Sequence, residues 1–351
     1  MLLEQLSNAV GVSGAENDIR KLIVKAIREQ VDDLRVDTMG NVFATKKAGG
    51  PAAARVMIVA HMDEVGFMIT RIAKSGLLKF RAVGGFDPRV LLGQAVLVGK
   101  ERMPGVIGLK PTHLLSKSER SRVVSIDAMR IDIGAGGEDE AKGKVKAGDY
   151  ATFATRFGRL GGNGGSRPDE GRIKGKAFDD RAGCAVLVEL LRERYPVELV
   201  GAFTVQEEIG LRGARVAANA VEPDVAFVLE CTMADDLPRK DKEPSFPRLG
   251  AGPVLTVMDR SFIANRQLLR LLVDTAEAGS IPYQFKRPGV GGTDAGAIHL
   301  AGSGVPSMVA SVPSRYIHAP ASIIDLADFR HTVELMRAGL RRLPEYLPAA
   351  T

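Results

Sequence analysis

The chain has 351 residues, is 45% hydrophobic and 26% charged, and carries a net charge of +6 with a pI near 9.3. That length and apolar content supply a sizeable core in one large domain or two, which excludes a disordered polypeptide. Aromatics make up only 5%, Trp is absent, and the basic residues are spread along the chain, which argues against a stacking platform for nucleic acid or oligosaccharide and for a solvated charged surface, with a preference for acidic substrates as the alternative.

The N-terminus "MLLEQLSNAVGVSG" has an acidic residue, no basic start and no long apolar core, so it does not read as a secretory signal. "AENDIRKLIVKAIREQV" places Ile19, Leu22, Ile23, Ala26 and Ile27 on one face and predicts an amphipathic helix. "VDTMGNVFATKKAGG" predicts a hairpin around Gly40 and Asn41. "RVMIVA" is a continuous apolar run of the kind buried on both faces of an α/β sheet, and "VELVGAFTV", "DVAFVLE" and "PSMVASV" share that character. Helical patterns lie among them in "RAGCAVLVELLRERY", "RQLLRLLVDTAEAG" and "DLADFRHTVELMRAGLRRL". The alternation predicts an α/β fold, a mostly parallel sheet sandwiched by helices. From 67 to 167 the pattern changes to short strand-like pieces punctuated by turn residues, an all-β domain inserted between 1–66 and 168–351. "GGNGGSRPDEG" reads as the flexible return from that insert and "KDKEPSFPRLGAGP" as a loop in the second half. No apolar run approaches the roughly 20 residues that cross a bilayer, and two cysteines, Cys184 and Cys231, make no disulfide framework. The expectation is a cytoplasmic protein with no membrane and no nucleic-acid partner.

Acidic and histidine residues recur where the apolar strands end, and in open α/β sheets ligands bind beyond the carboxyl ends of the strands. "VAHMDEVGF" puts His61 and Asp63 directly after the first run, with both side chains on one side of an extended segment. "KAFDDRAG" has Asp179 and Asp180 before a helix; one satisfies an N-cap, and two in succession call for a further partner, a metal or Arg181. "TVQEEIGLRGA" places Glu207 and Glu208 after "VELVGAFTV". They read either as a helix start or as a buried pair that must be neutralised. Glu230 ends "DVAFVLE", where an ionised Glu is rare without a partner, and "SRYIHAP" puts His318 just beyond "PSMVASV". Of the five histidines, only His61 and His318 have this strand-end placement. Histidine and carboxylate ligands suit zinc, cobalt or manganese, and one bridging carboxylate would leave enough ligands for two ions.

In this order the motifs resemble the dinuclear metallo-aminopeptidases that include glutamyl, deblocking and tetrahedral (TET) aminopeptidases, some members of which carry the label endoglucanase. "GVSGAENDIR", "AHMDEVGFMI", "KAFDDRAG", "VQEEIGLRGA", "GGTDAGAIHLAGSGVPS" and "SRYIHAP" carry the resemblance across nearly the whole chain. It implies a metallo-exopeptidase fold and removal of N-terminal residues from short peptides by a water activated between two divalent ions, Zn2+ with Co2+ or Mn2+ as alternatives. It implies that His61 and Glu230 bind one ion, Glu208 and His318 the other, and Asp179 both. Asp63 would hold the His61 imidazole, Asp180 would be structural, and Glu207 would be the general base. Many family members have Asp where this chain has Glu230. The segment with Gly292, Thr293 and Asp294 would line the substrate cleft. The inserted domain would be a dimerisation module, with dimers building a twelve-subunit tetrahedral shell.

Other readings stay open at this level. A carboxypeptidase or N-deacylase would use the same site, and Arg315 is a candidate anchor for a substrate carboxylate. A glycosidase would leave the histidines without a role. A non-catalytic shell or binding protein would be expected to have lost some of these residues, and every expected position is filled by a competent one.

Overall fold

In the computed structural model, residues 1–52, 54–109, 113, 116, 122–161, 170–237 and 247–347 are described. The chain begins with α1 (Leu2–Asn8) and α2 (Asn17–Ile27). Ile19, Ile23 and Ile27 of α2 are buried, the i, i+4, i+8 stripe of the predicted amphipathic face. The hairpin β1 (Asp33–Val36) and β2 (Val42–Lys46) turns at Gly40, whose φ of +99° is the left-handed conformation that favours glycine. β3 (Arg55–His61) then runs through the core, buried from Val56 onward.

The next segment closes on itself. β4 (Gly66–Ile72), β5 (Leu78–Val83), β6 (Ala95–Val98), β7 (Met103–Gly108), β8 (Arg130–Asp132) and β9 (Tyr150–Phe153) form a barrel in the order β4-β5-β8-β7-β6-β9, with a short helix α3 (Glu138–Lys142) between β8 and β9. Closure removes the free strand edges that would otherwise invite pairing with another chain. Phe67, Phe80 and Phe153 fill its core, and Phe86 stacks on Phe67 at 4.9 Å between centroids.

The chain then rejoins the larger sheet through β10 (Gly158–Arg159) and β11 (Arg172–Gly175). That return falls before the boundary at 167 read from the glycine-rich stretch. Of "GGNGGSRPDEG", residues 162–169 lie outside the described residues, as do 240–246 of "KDKEPSFPRLGAGP". There follow α4 (Phe178–Leu190), β12 (Glu198–Thr204), α5 (Arg212–Val221), β13 (Val225–Met233), β14 (Val254–Thr256) and α6 (Arg266–Ala278). The chain ends with β15 (Gln284–Phe285), α7 (Ala295–Ile298), β16 (Ser307–Arg315), β17 (Ser322–Asp325) and α8 (Leu326–Arg342).

The large sheet runs β1-β2-β12-β3-β13-β16-β17-β11-β10, with β14 and β15 attached at β16. The neighbours β12, β3, β13 and β16 are parallel to one another; β2, β14 and β17 join them antiparallel. The sheet is therefore mixed, which corrects the expectation of a mostly parallel one. Continuous apolar runs mark strands covered on both faces, and those are the parallel inner four. The shorter flanking strands carry no such run and were not legible as part of the sheet. On one side α4 packs against β3, β13 and β16 and touches α1, α2 and α8; α5 and α7 form a separate group against β12, β13 and β16. No helix among the described residues is long and apolar enough to cross a membrane. Because the inner four strands are parallel, their carboxyl ends share one edge, and Thr204 of β12 lies directly beside His61 of β3.

Candidate metal centre

Each of the inner strands delivers a polar group to that edge. His61 is the last residue of β3 and is 1% exposed. Glu230 is a buried residue of β13, and its Oε2 lies 3.6 Å from His61 Nε2. Asp179 stands at the entry to α4, where the backbone of Asp179 and Asp180 is non-helical and their peptide is cis. Asp179 Oδ1 lies 3.3 Å from His61 Nε2, and its Oδ2 lies 3.5 Å from His318 Nε2. His318, with a φ of +59°, follows β16 and places Nε2 3.2 Å from Glu208 Oε2. One carboxylate thus stands between two histidines, each with a further carboxylate of its own. The glutamate pair lies in the turn between β12 and α5, ahead of the helix start at Arg212, so the helix-start reading does not apply.

The donor set fits cations. Asp179 Oδ1, Glu208 Oε1, Glu230 Oε1 and His61 Nδ1 are buried without a hydrogen-bond partner, an arrangement that is costly unless a positive charge meets the oxygens. Ligand atoms of His61, Asp179 and Glu208 lie within 4.8 Å of one another, as do those of His61, Asp180 and Glu230. In the second group Asp180 is already engaged: Oδ1 accepts from Gly183 N at 2.9 Å and Oδ2 from His61 N at 3.2 Å. Its oxygens cap α4 and brace the end of β3, which leaves Asp179 as the better ligand.

The electrostatics follow from crowding carboxylates away from water. Burial pushes Glu208 up to about 8 and Glu230 up to about 7. It pushes Glu207 well above the usual carboxylate range, with Glu230, Asp294 and Glu208 adding to the rise. Burial works against charge on His318 too, but Asp179 and Glu208 outweigh it and raise the imidazole to about 9. Burial would raise Asp179 as well, yet His318 and His61 hold its carboxyl below the usual range. Protons here stand where cations would otherwise balance the charge.

Asp63 does more than face His61. Fully buried, it sits with Oδ1 at 3.5 Å from His61 Nδ1, beyond a hydrogen bond. Its oxygens accept from Glu207 N at 3.0 Å, Glu208 N at 3.1 Å and Ser13 Oγ at 2.6 Å. Next to it, Glu64 accepts from Lys176 Nζ at 2.7 Å and from Thr152 Oγ1 of β9 at 3.0 Å, and Arg181 lies 3.4 Å away. The barrel also forms one wall of the site. A Cβ on Gly84 would lie 3.5 Å from Glu208 Cβ, and one on Gly85 3.7 Å from His318 Nδ1. Phe153 lines a cavity of about 20 Å³ together with Asp179, Glu208 and His318, room for roughly one water.

The structure brings His61, Asp63, Asp179, Glu207, Glu208, Glu230 and His318 together. The glycine-rich segment is split: Gly292 is exposed, while Thr293 is 4% and Asp294 1% exposed. Asp294 accepts from Thr204 Oγ1 at 2.7 Å, beside the end of β3, and burial lifts its carboxyl to about 6. Arg315 stands apart from this group. Its Nε and Nη2 donate to the two oxygens of Asp236 at 2.6 and 2.8 Å. This bidentate pair engages Nε and one Nη2 hydrogen of the guanidinium's five N–H donors. Sequence reasoning gave no role to Ser13, Glu64, Lys176 or Asn41. Only their neighbours pointed to them: Ser13 lies in "GVSG", Glu64 follows Asp63, and Lys176 opens "KAFDD".

The chain is similar to known proteins along most of its length. Residues 40–335 match the family model of the M42 glutamyl aminopeptidases. The chain is similar to a putative aminopeptidase of Acetivibrio thermocellus (38% identity over 95% of this chain and 96% of the relative). It is similar to the lysyl aminopeptidase of Pyrococcus furiosus (33%, 97% and 96%) and the glutamyl aminopeptidase of Lactococcus lactis subsp. cremoris (34%, 97% and 95%). Among solved structures it superposes on a TET aminopeptidase from the archaeon Thaumarchaeota archaeon SCGC AB-539-E09 with a TM-score of 0.91, at 37% identity over 97% of this chain and 96% of that one. It superposes on the Pyrococcus horikoshii TET1 peptidase, described as assembling into a tetrahedron or a large octahedral shell, with a TM-score of 0.83 at 34% identity over 97% and 98%.

Proposed function

The chain belongs to the M42 glutamyl aminopeptidase family, and from that premise we propose that it is a metal-dependent aminopeptidase removing N-terminal residues from short peptides. The observation that carries the proposal is Asp179 standing between two imidazoles, 3.3 Å from His61 and 3.5 Å from His318. His61 and Glu230 would hold one divalent cation, Glu208 and His318 a second, and Asp179 both. Zinc suits this donor set, with cobalt and manganese as alternatives. When bound, such ions supply Lewis acidity toward a carbonyl and lower the pKa of water. The large mixed sheet and its helices would then be a metallo-exopeptidase fold.

Glu207 is the proton carrier in this reading. It takes a proton from the water that attacks the scissile carbonyl carbon and gives it to the leaving amine nitrogen as the C–N bond breaks. Its burial favours the protonated carboxyl needed for the second transfer. Asp63 fixes the main chain at the glutamate pair, and Asp180 fixes the end of β3. Gly292 and Thr293 would border the substrate, with Asp294 bracing the segment from beneath through Thr204. The match to the aminopeptidase family favours this reading over a carboxypeptidase on the same site.

Similarity to shell-forming TET peptidases supports a homo-oligomer, and the barrel is the candidate dimerisation module, with dimers building a tetrahedral dodecamer; light scattering reads its mass directly. The buried free thiols of Cys184 and Cys231 fit a cytoplasmic location. A panel of free-amine and N-acetylated peptides tests the activity. The expected result is stepwise release of N-terminal residues from free-amine peptides alone, abolished by chelator and restored by zinc or cobalt. Cleavage of acetylated peptides, or activity undiminished in chelator, would refute it.

A further inference from the structure

The opening motif Gly11-Val12-Ser13-Gly14 is remote in sequence from the glutamate pair, yet the fold connects them. Val12 forms an isolated parallel bridge with Glu64. Glu64 N donates to Gly11 O at 2.9 Å and Ser13 N to Glu64 O at 3.3 Å, so the motif runs alongside the segment that leaves β3. The residue types fit that close approach. A Cβ on Gly11 would lie 2.6 Å from Ile19 Cγ1 and 2.8 Å from an Arg181 guanidinium nitrogen. Gly14 has a φ of +89°, and a Cβ there would lie 2.8 Å from Tyr150 Oη. Val12 is fully buried and fills the space that a side chain at Gly66 would need. The motif is thereby pinned at both ends, with Ser13 at its centre and 2% exposed.

Ser13 donates its hydroxyl to Asp63 Oδ2 at 2.6 Å. The same oxygen accepts from Glu208 N at 3.1 Å, and Oδ1 accepts from Glu207 N at 3.0 Å. Asp63 therefore grips the main chain of both glutamates and is itself held by Ser13. The motif is also held locally: Glu16, buried just after it, accepts from Gly14 N at 2.7 Å. Gln206, directly ahead of the pair, has a φ of +57°, so this turn adopts a conformation that a non-glycine residue seldom takes unaided.

We propose that Ser13 is a positioning residue for the glutamate turn: its hydroxyl fixes the Asp63 carboxylate, which sets the main chain at Glu207 and Glu208. This rests on reading Glu207 as the proton carrier and Glu208 as a cation ligand. Removing the hydroxyl leaves the buried carboxylate able to rotate about its last bond, and the two amides lose a fixed acceptor. Displacements well under an ångström at a proton-transferring group are enough to slow a reaction.

The test compares Ser13→Ala and Ser13→Thr with the wild type in the full-length protein. In the zinc-loaded enzyme S13A should lower kcat on the order of tenfold or more, leave KM within about twofold and keep the zinc stoichiometry, while S13T restores most of kcat. In the zinc-free protein, hydrogen exchange should be faster in S13A at the amides of Glu207 and Glu208 and unchanged in β3 and β13, with S13T again close to wild type. A wild-type kcat in S13A, or unchanged exchange at those two amides, overturns the inference. So does a general rise of exchange across the sheet, which would make Ser13 a folding residue only. If S13A does not fold, Ser13→Cys puts a weaker donor at the position; intermediate exchange at the two amides upholds the inference and wild-type exchange overturns it. A wild type inactive on every peptide, with the exchange effect present, would remove the aminopeptidase reading and leave the positioning role standing.

Discussion

Glu207 and Glu208 share a turn, and the proposed mechanism gives them different tasks. Glu208 Oε2 lies 3.2 Å from His318 Nε2, and its Oε1 is buried without a partner, the signature of a ligand. Burial pushes Glu207 well above the usual carboxylate range, and Glu230, Asp294 and Glu208 add to the rise. Glu207→Gln should keep two cations per chain by metal analysis while lowering kcat about 10²- to 10⁴-fold; loss of metal instead would make it a ligand. Glu208→Ala should lower the cation stoichiometry, and an unchanged count would refute the division. The protons at this site also set a pH dependence. Without metal, Glu208 stands near 8 and Glu230 near 7 against an ordinary 4.5, and His318 near 9 against 6.5. All three are raised by folding, so their stabilising contribution is complete below the ordinary values and is lost as pH climbs through about 7 to 9. Chelator-treated protein should therefore melt at progressively lower temperature from about pH 5 to pH 9, and zinc should stabilise most at the alkaline end. A flat or rising melting curve for the metal-free protein would contradict this.

At the scale of elements, the β1–β2 hairpin matters beyond its own strands. Asn41, fully buried after its turn, accepts from Val205 N at 3.0 Å and donates to Gly213 O at 3.2 Å. Those two residues flank the glutamate turn, so the hairpin clamps the β12–α5 connection at both ends. Gly213 is the close-approach point: a Cβ there would meet Val205 O at 2.4 Å. Asn41→Leu removes both bonds inside the core and should cost about 2–6 kcal/mol in urea unfolding, since each orphaned buried group costs about 1–3 kcal/mol. Its activity should fall with its stability. Unchanged stability would mean that the clamp is not needed.

Across the whole molecule, the barrel and the sheet are joined by a buried ionic cluster. Glu64 collects Lys176, Arg181, Thr152 of β9 and Gly11 N, and Lys176 Nζ also donates to Ala9 O at 2.6 Å. Burial lowers the Lys176 amine to about 8 even with Glu64 against it. Lys176→Met leaves the Glu64 carboxylate short of a partner and should destabilise the protein by about 3–5 kcal/mol. Adding Glu64→Gln should recover part of that loss, and purely additive effects in the double variant would argue against coupling. The cluster lies one residue from Asp63 and beside Arg181 of α4, so the barrel's attachment and the geometry of the site depend on the same charges.

The sequence by itself determined the inner strands and the polar residues at their ends. Apolar runs long enough to be covered on both faces announced β3, β12, β13 and β16, and polar residues at their ends stood out because an ionised group there is rare without a partner. Parallel pairing then forces those ends to one edge, which is why His61, Glu208, Glu230 and His318 come together; Asp179 joins them from the entry to α4. The flanking antiparallel strands, the early return at β10 and the bracing by Ser13, Asn41 and Lys176 were decided only by tertiary structure. A short edge strand has no period to read, and a serine or an asparagine acquires its role from a partner far along the chain. Arg315 shows the same limit from the other side: a cation near the site in sequence is paired with Asp236 in the fold. Residue type records what a side chain is able to do, and packing decides which neighbour receives it.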